Sequence, residues 1–256
     1  MIELDRLTKR WGDVVAVEEL GLTVADGELL VLLGGSGCGK TTTLKMVNRL
    51  VEPTSGRVLI DGENVARLKP HELRRRIGYA FQQVGLFPHM TVAENVGVTP
   101  RLLGWPAARI AARVDEVLEL VELEPAAMRR RRPDELSGGQ QQRVGVARAL
   151  AAEPRLMLLD EPFGALDPLT RDRVQQSFQR IRRALHLTAI FVTHDMSEAL
   201  LLGDRIAVMD AGRLVQVGTP RELMLRPATD YVRRLMDTPR RQASAVEALL
   251  GEGPVG

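Results

Sequence analysis

The chain has 256 residues, 45% hydrophobic and 27% charged, which is the balance of a folded globular protein of one or two domains that needs no disulfide to hold its core. Basic residues number 35 (31 Arg, 4 Lys) against 33 acidic ones, a net charge of +2, and aromatics are 4%; this excludes a basic, aromatic-studded face for stacking bases, so no nucleic-acid partner is expected. A single Cys excludes a disulfide framework and any multi-cysteine metal site, and suits a reducing compartment.

The start, Met1 to Asp5, lacks the basic and apolar regions of a signal peptide. Apolar runs such as Leu29–Leu33 fall far short of the ~20 residues that span a bilayer, so any membrane role is expected to run through a partner. In chain order, strands are predicted at Ile2–Leu7, Leu20–Val24, Glu28–Leu33 and Arg57–Ile60, with turns at Ala25-Asp26-Gly27 and Asp61-Gly62. A breaker-free helix covers Thr41 to Leu50, and Ile77–Phe81 reads as a further strand. Thr91 with Glu94 forms a capping box, and Ile110, Val114, Val117, Leu118 and Val121 recur at helical spacing as one stripe. The stretch 85–152 is therefore expected to be a helical insert within an α/β core.

After Pro154 the alternation resumes. Strand Leu156–Leu159 leads to a helix with Val174, Phe178, Ile181 and Leu185 on one face, then strands at Thr188–Thr193, Ile206–Met209 and Arg213–Val217. Thr219-Pro220-Arg221-Glu222 opens another helix with a capping box and a Pro in its first turn. The tail from Asp237 to Gly256 is polar and Ala-rich, and its end is expected to fray. Arg129–Arg132 reads as a solvated run, and Met224 and Met236 as packing residues.

Gly34-Gly35-Ser36-Gly37-Cys38-Gly39-Lys40-Thr41 satisfies G-x-x-x-x-G-K-[ST] after an apolar strand and before a helix. Glycines let backbone N–H groups converge on phosphate oxygens, and the helix N-terminus adds partial positive charge. Lys40 is placed to reach the β- and γ-phosphates from an open site, and the Thr41 hydroxyl is a hard ligand for Mg²⁺. The Cys38 thiol, near a helix N-terminus, is expected to be reactive. A mere glycine-rich connector would not need the Lys-Thr pair.

Leu156–Leu159 then Asp160-Glu161 reads as a buried strand with carboxylates at its carboxyl end, where open α/β sheets place ligands. Asp160 suits the Mg²⁺ shell and Glu161 the attacking water. Ser137-Gly138-Gly139-Gln140 opens a second helix with anion-binding character, which a kinase or GTPase does not need.

These residues, in this order, resemble the ATP-binding subunits of ABC transporters from about Ile2 to Met236. The resemblance implies a P-loop NTPase (RecA-like) α/β core with an N-terminal antiparallel β subdomain and an α-helical insert, followed by a short tail over 237–256. It implies that ATP is held by Gly34, Gly35, Ser36, Gly37, Cys38, Gly39, Lys40, Thr41 and Thr42, with Trp11 stacking on adenine where relatives usually have Tyr. Ser137, Gly138, Gly139 and Gln140 would close on the ATP of a facing subunit in a head-to-tail homodimer or a pair of paralogues. Thr41, Gln82 and Asp160 would hold Mg²⁺; Glu161, His194 and Gln82 would serve the chemistry, with Gln83 the alternative to Gln82. Ala165-Leu166-Asp167 resembles the D-loop. Gly35 stands where many relatives have Pro, so this loop is expected to be looser.

Asn48 to Pro53, Gln82 to His89 and Gln140 to Gln142 resemble subunits of quaternary-amine importers. That implies a motor on the cytoplasmic face of the cell membrane, attached through permease subunits and served indirectly by a substrate-binding protein. Fewer than 40 residues follow Gly218, so the paired regulatory modules of many such relatives are not expected. The competing readings are another ABC importer, a lipid or drug exporter, and a soluble ABC ATPase. About 115 residues part the two nucleotide motifs, without sustained heptads, which disfavours the chromosome-type ATPases.

Overall fold

The computed structural model describes residues 1–82 and 84–251. Its strands are β1 (Ile2–Trp11), β2 (Val14–Val24), β3 (Leu29–Leu33), β4 (Ser55–Ile60), β5 (Glu63–Asn64), β6 (Ile77–Ala80), β7 (Leu156–Asp160), β8 (Thr188–Thr193), β9 (Arg205–Asp210) and β10 (Arg213–Gly218). The helices are α1 (Lys40–Val47), α2 (Pro70–Arg76), α3 (Val92–Val96), α4 (Val98–Leu102), α5 (Ala107–Leu120), α6 (Pro125–Met128), α7 (Gly138–Leu150), α8 (Pro168–Ala184), α9 (Met196–Leu202), α10 (Pro220–Leu225) and α11 (Asp230–Gly251). An antiparallel sheet runs β2-β1-β4-β5, and a second sheet runs β10-β9-β3-β8-β7-β6. In the second, β9, β3, β8, β7 and β6 are parallel and β10 pairs antiparallel with β9.

Strand β3 is buried along its whole length because it divides two cores. Leu30 and Leu32 pack toward the antiparallel sheet with Leu4, Leu20 and Leu44. Leu29, Val31 and Leu33 pack toward the helices with Phe163, Phe178 and Phe191. A continuous apolar strand fits this two-faced burial.

Strands β1 and β2 extend past the apolar segments that announce them, meeting at a tight turn with Gly12 at φ 57°. The ladder carries Lys9, Arg10 and Trp11 opposite Val17, Val15 and Val14. Backbone pairing there needs only one covered face. In the insert the Thr91 box forms as expected, with Glu94 N–H donating to Thr91 Oγ1 and Thr91 N–H to Glu94 Oε2. Val114, Val117, Leu118 and Val121 are buried and Ile110 is partly covered. Leu185 departs from its expected place: α8 ends at Ala184, and Leu185, its C-cap residue, is 51% exposed.

Within the tail, α11 continues through Pro239 to Gly251. Val232 and Met236 bury its first turns beside α9 and α10, so burial rather than propensity starts this helix. The last part of the tail, 252–256, and the alternative glutamine Gln83 lie outside the described residues. Among those described, no helix is long and apolar enough to cross a membrane.

Candidate functional site

The site forms where the carboxyl ends of β3, β7 and β8 meet. Between β3 and α1 the loop must pass close under β2. At Gly39 (φ 99°) a Cβ would come 2.5 Å from the Ala16 carbonyl oxygen, so only glycine fits there. Lys40 is not in an open position as expected; it is 6% exposed and folded back on the loop. Its Nζ donates to the Gly34 and Gly35 carbonyl oxygens, each at 2.8 Å. A buried ammonium satisfies its donors with the nearest carbonyls. Cys38 is likewise buried, 5% exposed, with its Sγ 3.6 Å from Lys40 Nζ, so its access to reagents from solvent is restricted by burial. Gly35 and Gly37 face open space where added atoms would meet nothing within 4 Å.

Thr41 Oγ1 donates to Asp160 Oδ1 at 2.9 Å, joining the start of α1 to the end of β7. Burial pushes the Asp160 carboxyl above its ordinary range, the Thr41 hydrogen bond opposes this, and the neighbouring Glu161 carboxylate adds to it. Two hard oxygens side by side, one a buried carboxylate, are the donor set a Mg²⁺ ion takes.

Glu161 has φ 47°, a left-handed conformation uncommon for a non-glycine residue, fixed by its N–H donating to the Val192 carbonyl of β8. The bend separates it from Asp160. Gln82 Nε2 donates to Glu161 Oε2 at 3.1 Å, and His194 Nδ1 lies 3.1 Å from Oε1. Two residues far apart in sequence thus grip the Glu161 carboxylate. Trp11 is 54% exposed, with the Lys9 ammonium 4.2 Å from its ring centroid.

Ser137 caps α7: Gln140 N–H donates to Ser137 Oγ at 3.3 Å and Ser137 N–H to Gln140 Oε1 at 2.9 Å. Ser137 and Gly138 are exposed, and among the described residues no hydrogen bond joins Ser137–Gln140 to the phosphate loop or to Glu161. Asp167 caps α8, its carboxylate lowered by the hydrogen bonds from Thr170. Arg171 ties this segment to the histidine loop, donating to the Leu166 carbonyl and lying 3.7 Å from Asp195.

Two residues of α7 escaped the sequence reading. Gln142 is buried; its Nε2 donates to the Glu161 carbonyl at 3.0 Å and its Oε1 accepts from Ala165 N–H at 2.9 Å. Arg148 donates to the Val84 and Gly85 carbonyls, pinning the segment after Gln82 to the same helix. Burial lowers the Arg148 pKa without neutralising it. The triple glutamine carried the only sequence signal for Gln142.

Residues 17–164 match the family described as ABC transporter. The glycine betaine/carnitine/choline transport ATP-binding protein OpuCA of Bacillus subtilis is 51% identical over 261 residues, covering 100% of this chain and 68% of its own. The osmoprotectant import ATP-binding protein OsmV of Salmonella typhimurium is 52% identical over 237 residues, covering 91% of this chain and 62% of its own. Among solved structures, the ATP-binding cassette MJ0796, dimeric in a post-hydrolysis state with ADP and Pi, superposes with a TM-score of 0.80 at 34% identity, over 86% of this chain and 99% of that one.

Proposed function

The chain belongs to the ABC transporter family as an ATP-binding, ATP-hydrolysing subunit, and on that premise we propose that it powers import of quaternary amines such as glycine betaine, choline or carnitine through a separate permease. The observation that carries the catalytic part is the grip of Gln82 and His194 on Glu161, beside the Thr41–Asp160 pair.

Residues 1–236 act as one ATP-binding domain with the helical part 85–152 inserted, and 237–256 as an extension. The triphosphate lies on the N–H groups of Gly37 to Thr42, with Ser36 at the open side of the loop and Trp11 against adenine. Lys40 exchanges the Gly34 and Gly35 carbonyls for phosphate oxygens, a short swing from where its ammonium already rests. Thr41, Asp160 and Gln82 would hold Mg²⁺, which when bound neutralises phosphate charge. Glu161 takes a proton from the attacking water, while His194, on the same carboxylate, donates toward the departing phosphoryl oxygens.

The exposed Ser137 cap supports a shared site. Among the described residues Ser137 and Gln140 bond each other within the cap, and the exposed end of α7 is completed by the ATP of a second copy or a paralogue, head to tail. An open groove of about 460 Å³ lies beside Gln82 at the outer strand β6, lined by Leu50, Tyr79, Phe81, Phe87 and Val98. Exposed Phe81 and Phe87 there suit a permease helix, and a docked permease would hold the subunit at the cytoplasmic face of the membrane. The solute reading rests on the names of the importer relatives, and a separate substrate-binding protein would present solute to the permease.

Reconstituted in liposomes with the permease it co-purifies with, the subunit is expected to drive accumulation of radiolabelled glycine betaine, choline or carnitine only when ATP is supplied on its own side. ATP hydrolysis without uptake of any of the three would overturn the solute assignment and leave the ATPase standing.

A further inference from the structure

We propose that Tyr231, on the first turn of α11, is a positioning residue of the phosphate loop: its hydroxyl holds the Gly35 peptide so that nucleotide affinity depends on how the C-terminal helix is docked. The proposal rests on the loop's ATP-binding role and not on the solute. Gly35 N–H donates to Tyr231 Oη at 3.3 Å, across 196 residues of sequence. Among the described residues, Tyr231 is the only side chain from outside the loop whose hydrogen bond reaches the backbone between Gly34 and Cys38.

The Gly35 carbonyl faces the other way. It accepts from Lys40 Nζ at 2.8 Å and from Cys38 N–H at 3.4 Å. Lys40 Nζ also donates to the Gly34 carbonyl, which shares a peptide with the Gly35 N–H, so both peptides flanking the residue 35 Cα are held. Once Lys40 turns to phosphate, the carbonyl loses its strongest donor, and the Tyr231 hydroxyl becomes the restraint from outside the loop. A glycine at this position has the widest backbone freedom of any residue, so restraint there matters more than it would for Ala or Pro. A proline at 35 would offer no N–H at all, so the contact requires a donor-bearing residue.

The hydroxyl is delivered by a firmly seated element. Tyr231 packs against the helical core, and its neighbours Val232 and Met236 are buried beside α9 and α10. Burial, with the Asp210 carboxylate nearby, raises the phenol's pKa and keeps it neutral across the working pH range, although the Gly35 hydrogen bond opposes the shift.

Tyr231→Phe removes the hydroxyl and keeps the ring. It is expected to raise the Kd for a fluorescent ATP analogue and the KM for ATP about 3- to 10-fold, the scale of one neutral hydrogen bond, with kcat within about twofold and the melting temperature unchanged. Hydrogen exchange of the Gly35 amide in the free protein should speed up in the same variant. Gly35→Ala keeps the N–H, meets nothing within 4 Å and restricts the loop by itself. Combined with Tyr231→Phe, it should recover at least half of the lost affinity, which a purely packing role of Tyr231 would not allow. Parental affinity in Tyr231→Phe, a loss that Gly35→Ala does not recover, or an unaltered Gly35 exchange rate would each overturn the proposal. A parent that fails to bind the analogue would instead strike at the ATP-binding assignment, and the exchange measurement would still decide the contact.

Discussion

Asp160 and Glu198 are both buried carboxylates raised above their ordinary range, chiefly by desolvation, yet only Asp160 is assigned a place in the proposed chemistry. Glu198 accepts from Thr193 Oγ1 at 2.6 Å and from Gln175 Nε2 at 3.0 Å, behind the loop that carries His194. Because the folded chain holds the Glu198 proton more tightly than the unfolded chain, its contribution to stability falls as pH rises from the ordinary Glu value through the higher folded one. Glu198→Gln removes the charge, and a flip of the Gln175 amide can keep both hydrogen bonds. Denaturant titrations should therefore find the variant gaining on the parent as pH rises, with the difference smallest in acid and largest near pH 8. A difference that does not change with pH would contradict the burial argument. Lys40 teaches a related lesson. Its type and spacing pointed to a phosphate ligand, but where its ammonium rests depends on carbonyls that no motif names.

At the scale of elements, the sequence was most informative where side chains and backbone meet locally. The capping residues Thr91, Ser137 and Thr219 form their boxes because partner and cap are three residues apart. The phosphate loop was readable for the same reason. Less readable were features set by distant partners: the length of β1 and β2, the end of α8 before Leu185, and the persistence of α11 beyond Asp237. Gln142 belongs with these, since its role lies in joining α7 to the turn after β7. Gln142→Leu matches its volume but leaves the Ala165 N–H without a partner. The expected cost is about 1–3 kcal/mol of stability. Turnover should fall more than ATP affinity, because the turn that aims Glu161 is loosened while the phosphate loop is not touched. Denaturant midpoints and steady-state kinetics both check this, and parental values in both would refute the brace.

The whole molecule brings two half-sites to its surface. One combines the phosphate loop with Asp160 and Glu161 at the ends of the parallel strands; the other is the exposed Ser137 cap on the inserted helices. The order of motifs along the chain revealed both halves, but nothing in it could reveal that their hydrogen bonds stay separate within one copy. Glu161→Gln tests the joining of these halves most directly. The substitution keeps shape and one acceptor oxygen, so nucleotide should still bind while loss of the base slows hydrolysis by about 10²–10⁴-fold. Size-exclusion chromatography of this variant should find a dimer with Mg²⁺-ATP and a monomer with ADP, and adding Ser137→Ala should weaken the ATP dimer. Hydrolysis at the parental rate would contradict the role of Glu161, and a variant that stops hydrolysis yet stays monomeric in ATP would contradict the shared site.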